Sequence, residues 1–318
     1  MAVESTIRIL NQALPILLLI ALGYWIRQRK FLAETTINEL RKIVVNLALP
    51  AVVFISFLSI ELKPSYFVIF GVIFLLCIVL FLLGLWLKKQ LNIQDSYFPF
   101  LITGFEYGML GISLFGAAYG MEKIGYIAVM DLGHEIFIWF VFLPLLLIKR
   151  DGAQNPKTVI KSFLSAPVVI AISASLLFNV VSGQAWLYTL PVTGALMTVL
   201  KFLGNLTVPL VLIIVGYGIQ INRARLKDVV LVVLIRLGIL VPFVLFLNRY
   251  LVRNVLRLDT WFEIALFTLL VLPPPFIIPL YARSDLDMEE RQHINNVLTI
   301  HTIVSVFVFL VYFAANPV

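Results

Sequence analysis

Asp131, His134 and Glu135 stand at i, i+3 and i+4 in an otherwise apolar run, so a helix would carry all three on one face. An ionisable side chain at the centre of a membrane helix costs about 2.5–3.5 kcal/mol, so that face must look onto protein or a cavity and is a functional candidate. Three chemistries fit it: a proton relay or cation site, a metal site made by one histidine and two carboxylates, or a hydrogen-bond network joining neighbouring spans. No second cluster with ligand spacing supports the metal. Glu106 is the sharpest single candidate, because it adjoins Gly108 and Gly111 in another apolar run. It is either a proton carrier or a carboxylate satisfied by a nearby donor. Arg236, well inside its own apolar run, would bind a substrate carboxylate bidentately or pair with Asp131 or Glu135. His301 is the remaining buried candidate, either paired with His134 or a satisfied polar residue.

These residues need elements to hold them. The chain has 318 residues, of which 61% are hydrophobic and 13% charged, and its mean hydropathy is +1.03. That composition belongs to a polytopic membrane protein, all-α by its long apolar runs. Ten spans are expected at about 9–26, 37–59, 66–87, 97–119, 124–148, 159–181, 188–219, 228–248, 261–282 and 293–314. The seventh is long enough to begin with a short extra helix. The lone Cys77 supports neither a disulfide nor a thiolate metal site. The net charge of +7 lies between apolar runs, which is a membrane-loop pattern and gives no reason to expect nucleic acid as a partner. Connections at 27–30, 88–89, 149–161, 223–227 and 283–291 hold fourteen Lys and Arg, against six on the other side. The first set is therefore cytoplasmic, and both termini are extracytoplasmic.

The ninth span contains Pro273-Pro274-Pro275-Phe276. Consecutive prolines remove N–H donors and clash with the preceding turn, so this span must be two half-helices, tolerated only inside protein or against a water-filled cavity. The chain also repeats. Lys42-x3-Asn46-Leu47-x2-Pro50 returns as Lys201-x3-Asn205-Leu206-x2-Pro209, 159 residues later. Asp95-Ser96-Tyr97-Phe98 returns as Asp259-Thr260-Trp261-Phe262, and His134 as His301, at offsets of 164 and 167. Five spans per copy make the second copy inverted, an architecture of secondary transporters. An offset of 164 sets Met109, Leu110 and Gly111 opposite the three prolines, placing the matching break of the fourth span at Gly108–Gly111. Two broken helices crossing near the midplane would present N-terminal dipole ends to an anion. The substrate-binding candidates are accordingly Glu106, Tyr107, Gly108, Met109, Leu110, Gly111, Pro273, Pro274, Pro275 and Phe276. Asn46 and Asn205, each one turn before a proline, either repair a kinked helix or line the pocket. Lys42 can snorkel to the cytoplasm, whereas Lys201 lies deeper and would meet a carboxylate or the substrate.

Asn46-Leu-Ala-Leu-Pro50-Ala51, Gly108-x-x-Gly111, Asp131-Leu-Gly133 and the proline break, in this order and spacing, resemble the auxin efflux carrier family. That family includes plant auxin exporters and bacterial malonate-permease-like transporters, and its fold is similar to that of bile-acid/sodium symporters. The resemblance spans the whole chain. It implies ten transmembrane helices as two inverted five-helix repeats, with helices 4 and 9 broken and crossing. It also implies scaffold helices at 1–60 and 151–222, and a moving transport domain at 61–150 and 223–318. A small organic anion would be carried by an elevator-type motion, in a homodimer, in a plasma membrane (the inner membrane of a bacterium). The chain departs from the family at Glu106, where asparagine is usual, and at Ser113, where proline is frequent. An ionised carboxylate at the crossing would repel an anion, and it raises the case for proton coupling. Proton or sodium coupling is expected, with no other cofactor. No Walker loop, GxSxG or zinc-protease helix is present. The readings carried alongside the transporter are a channel or sensor on the same fold and an intramembrane enzyme built on the span 5 cluster.

Overall fold

The computed structural model describes residues 2–58, 64–151, 164–180, 187–188, 190–219, 225–282 and 288–316. Lys63, Lys157, Lys161, Arg223 and Arg283 of the loop-charge pattern lie outside them. Every regular element among the described residues is helical. Six helices are long and apolar enough to cross a membrane: α2 (Glu34–Leu58), α3 (Pro64–Gln90), α6 (Met121–Arg150), a helix at Pro191–Gly218, α10 (Leu226–Val255) and α13 (Met288–Ala315). The Pro191–Gly218 helix is bent at Leu206 into α8 (Pro191–Asn205) and α9 (Thr207–Gly218), and the described residues 187–188 ahead of it are helical. The remaining helices are α1 (Ala2–Gln28), α4 (Phe98–Leu101), α5 (Tyr107–Tyr119), α7 (Pro167–Val180), α11 (Thr260–Val271) and α12 (Ile278–Tyr281). The chain is an integral membrane protein.

The helices pack in exchanged pairs. α1 lies along α9, and α7 along α2. A Cβ on Gly23 would overlap the Ile213 carbonyl oxygen, and one on Gly216 the Ile20 carbonyl. These two glycines let the α1 and α9 backbones touch, the usual device where apolar burial cannot drive helices together in lipid. On the other side, α3 packs on α6, α10 on α13, and α11 on both α6 and α10.

The repeated Asp-(Ser/Thr)-aromatic-Phe sequence starts the two broken helices. Asp95 Oδ1 accepts the Tyr97 N–H at 2.8 Å, and Asp259 Oδ1 accepts the Trp261 N–H at 3.0 Å. Each aspartate satisfies an orphan donor at a helix start. Each is also held from the other half of the chain: Asp95 by His293 Nε2 on α13 at 3.1 Å, and Asp259 by the Tyr126 hydroxyl on α6 at 3.3 Å. Tyr126 and His293 are 167 residues apart, the same spacing as His134 and His301.

The breaks are unequal. In the first, α4 has 4 residues, while α5 continues to Tyr119. In the second, α11 has 12 residues and α12 has 4. α4 follows the basic end of α3 at Lys88 and Lys89. The crossing therefore lies nearer the face of the basic connections than the middle of the long arms, which at 1.5 Å per residue run about 18–20 Å toward the other face. The first break also falls about one turn before Gly108–Gly111. It spans 102–106, where Gly104 has φ +72, a left-handed conformation that glycine adopts without a steric penalty.

Candidate functional site

Prolines at 273–275 free carbonyls at the end of α11, and three of them take donors from three separate segments. The Val271 carbonyl accepts from Ser305 Oγ on α13 at 2.6 Å, the Leu272 carbonyl from Arg236 Nη2 at 3.0 Å, and the Pro273 carbonyl from the Glu106 N–H at 2.8 Å. Such accounting is obligatory where no lipid group can substitute. At the other break, the Gly104 carbonyl also accepts from Arg236 Nη2, and the Phe105 N–H donates to His134 Nε2 at 2.9 Å.

Arg236 is thus the clamp between the breaks. It is buried on α10 and bonds the carbonyls at the C-terminal ends of both first half-helices, where the helix dipole favours a cation. Its side chain lies 5.1 Å from the Phe105 ring centroid. It takes neither role raised from sequence: in this structure its hydrogen bonds go to backbone carbonyls and not to Asp131 or Glu135, and it does not line the cavity described below.

Glu106 fills the other side of the crossing. Its carboxylate accepts the Phe276 N–H at 2.6 Å through Oε2 and the Met109 N–H at 3.3 Å through Oε1. It caps α5 and reaches the start of the returning chain at once. Pro275 packs against Gly104, where a Cβ would meet its ring at 2.8 Å, and Gly111 backs onto Leu272. The two breaks are joined by side chain and backbone together.

His134 donates Nδ1–H to Asp131 Oδ1 at 2.7 Å, since its Nε2 is the acceptor for Phe105. Glu135, one turn on, accepts Trp139 Nε1–H at 2.9 Å. The ligand atoms of Asp131, His134 and Glu135 lie within 4.8 Å of one another. With both ring nitrogens committed, His134 would have to release the break or Asp131 to bind a metal, so the donor set does not fit one as it stands. His301, the repeat mate, holds the second break indirectly: its Nδ1 lies 2.9 Å from Ser305 Oγ, which donates to Val271.

A cavity of about 930 Å³ leads to this crossing. Its blind end is formed by Glu106, Tyr107, Gly108, Met109, Glu135 and Phe276. Its mouth carries Arg27, Ala166, Ile219, Tyr281 and Gln292, all at the basic connections. Beyond the crossing, α5 runs to Tyr119, which stacks edge-on against Trp261 and Phe313 at 5.8 and 5.1 Å, with Lys123 Nζ 4.7 Å from the Trp261 ring centroid. None of these residues at that end lines the cavity. Leu110, Pro273 and Pro274 are buried behind the lining.

Both asparagines lie outside the cavity. Asn46 is exposed, and its Nδ2 donates to the Lys42 carbonyl at 2.8 Å within a widened turn, Val44–Ala48. Asn205 is exposed at the end of α8. Lys201 is exposed as well, 5.3 Å from the Tyr188 ring centroid. The residue that sequence reasoning missed at the site is Gly104. Its signal was an isolated glycine in an apolar run, four residues before Gly108.

No protein-family model matches the chain. It is similar to a protein of Methanothermobacter thermautotrophicus (strain Delta H) described as an uncharacterized transporter, 26% identical over 220 residues, covering 67% of this chain and 68% of that one.

Proposed function

We propose that this protein is a secondary transporter that moves a small organic solute by alternating access. The observation that carries the reading is the cavity itself: its lining runs from residues beside the basic connections to the two crossing broken helices, and beyond them Tyr119 packs against Trp261 and Phe313. A carrier needs a site reachable from one side at a time, and transporters place it at such interruptions. The similarity to an uncharacterized transporter supports the same reading.

In this proposal the six long and four shorter apolar helices form ten spans in two inverted halves. The exchanged pairs α1–α9 and α7–α2, and the exchanged aspartate contacts, support it. The α1, α2, α7, α8 and α9 group is the scaffold. The α3–α6 and α10–α13 group, joined at the crossing by Glu106 and Arg236, moves as one body in an elevator-type stroke. With the basic connections in the cytoplasm, the structure corresponds to an inward-facing state. The organic anion implied by the family resemblance would find the N–H groups of Phe276 and Met109 already occupied by Glu106.

The test is side-specific labelling. Val45 lines the cavity, so a Val45→Cys variant in a Cys77→Ser background is reacted with a membrane-impermeant thiol reagent in vesicles of known orientation. Rapid labelling from the basic-loop face, and slow labelling from the other, is expected. Equal rates from both faces would indicate an open pore and overturn the reading.

A further inference from the structure

Among the described residues, the backbone donors at the deep end of the cavity are already taken. The N–H groups of Phe276 and Met109 are bonded to Glu106. Arg236 lies behind the lining and gives Nη2 to two backbone carbonyls, while its Nε and Nη1 are buried with no hydrogen-bond partner among the described residues. The nearest lining guanidinium along α2 is Arg41. Leu49 lies 3.9 Å from where a Gly108 Cβ would stand, and Arg41 is two turns, about 12 Å, nearer the mouth.

What the blind end does offer suits the opposite charge. Each Glu106 carboxylate oxygen takes one N–H bond and keeps a lone pair. Glu135 is half-buried beside it, steadied by Trp139. The Tyr107 hydroxyl is buried and has no hydrogen-bond partner among the described residues. The rings of Trp139 and Phe276 complete the wall, and such faces attract organic cations.

We propose that Glu106 supplies from the protein the negative charge that a substrate would otherwise bring to the crossing. The solute bound there is then a small organic cation, a protonated amine, held by Glu106, Glu135 and the Tyr107 oxygen, with its hydrocarbon part against Trp139 and Phe276. This rests on the proposed transport site and names its substrate class. The other charged or titratable groups facing Glu106 are His134 and Asp131 on α6, and Arg41 on α2; Arg236 on α10 faces the carbonyls of the two breaks.

The experiment measures thermal unfolding of the purified full-length protein with probes matched in carbon frame: phenethylammonium against phenylacetate, and butylammonium against butyrate, at constant ionic strength. A ligand of the folded state raises Tm with concentration. The ammonium members should raise the wild-type Tm and the carboxylates should not. Glu106→Gln should abolish the ammonium effect, and Glu135→Gln should weaken it. Acetate should raise the Tm of Glu106→Ala, where it can refill the vacated N–H groups, but not that of the wild type. If the alanine variant does not fold, the glutamine variant and the wild-type probes still decide the matter. A rise in wild-type Tm with either carboxylate overturns the proposal. If that rise occurs only at acid pH, it indicates instead an anion that enters as Glu106 takes up a proton. Absence of any ammonium effect overturns it as well. Ammonium binding without flux in proteoliposomes would leave the proposal standing and sink the transporter reading, whereas carboxylate flux would do the reverse.

Discussion

The Glu106 carboxylate accepts the Phe276 N–H at 2.6 Å, and the Glu106 N–H donates to the Pro273 carbonyl at 2.8 Å. One residue of the first broken helix thus closes hydrogen bonds on both sides of the proline break in the second. A buried donor left without its acceptor costs about 1–3 kcal/mol. Glu106→Ala should lower Tm clearly. Glu106→Gln should lower it less, because the amide oxygen can still take the Phe276 N–H. Thermal unfolding of the three proteins checks this, and equal Tm values would refute the bridge.

Arg236 makes the complementary link. Arg236→Met leaves the Gly104 and Leu272 carbonyls without their guanidinium donor, a loss of about 1–3 kcal/mol for each. Arg236→Lys keeps a charge but not the planar fork. The order of Tm is predicted to be wild type, then lysine, then methionine. A methionine variant as stable as the wild type would show that the clamp contributes nothing.

Close contact between α1 and α9 predicts a sharp contrast among glycines. Gly23→Ala must push the Ile213 carbonyl away, at an overpacking cost of about 1–3 kcal/mol. Gly238→Ala in α10 meets no atom within 4 Å and gains roughly 0.5–1 kcal/mol in helix propensity. Tm should fall for the first and hold or rise for the second. The reverse order would contradict the packing.

Uptake should depend on pH through Glu106. A cation is held by the ionised carboxylate, so uptake should fall as pH is lowered and Glu106 takes a proton. In Glu106→Gln the remaining pH dependence should come only from Glu135, Asp131 and His134, and the profile should flatten. An unchanged profile, measured as initial rate against pH in proteoliposomes, would remove Glu106 from the transport cycle.

Some of this was legible in the chain because the chemistry is local. Three prolines forbid a continuous helix wherever they fall, and the Asp95 and Asp259 caps use donors two residues away. The span 4 break was misplaced for an equally local reason. Carrying the prolines across by a fixed offset points to Met109–Gly111, whereas the turn is made by the positive φ of Gly104. The role of Arg236 could not be read, because its partners are backbone carbonyls on two other helices. The particular donors of Glu106 could not be read either, because they meet only once the two breaks cross, although a carboxylate satisfied by nearby donors was one of its two readings. Asn46 bonds the Lys42 carbonyl in a widened turn, in keeping with the repair of a distorted helix, one of the two readings its spacing allowed.

The central claim is that a solute crosses by way of the blind cavity. It is tested most directly by initial rates of uptake of radiolabelled phenethylammonium into proteoliposomes, with and without unlabelled solute inside. The account predicts saturable uptake of chemically unchanged solute, accelerated by internal solute and lost in Glu106→Gln. Flux that rises linearly without saturation, ignores internal solute and survives Glu106→Gln would contradict it.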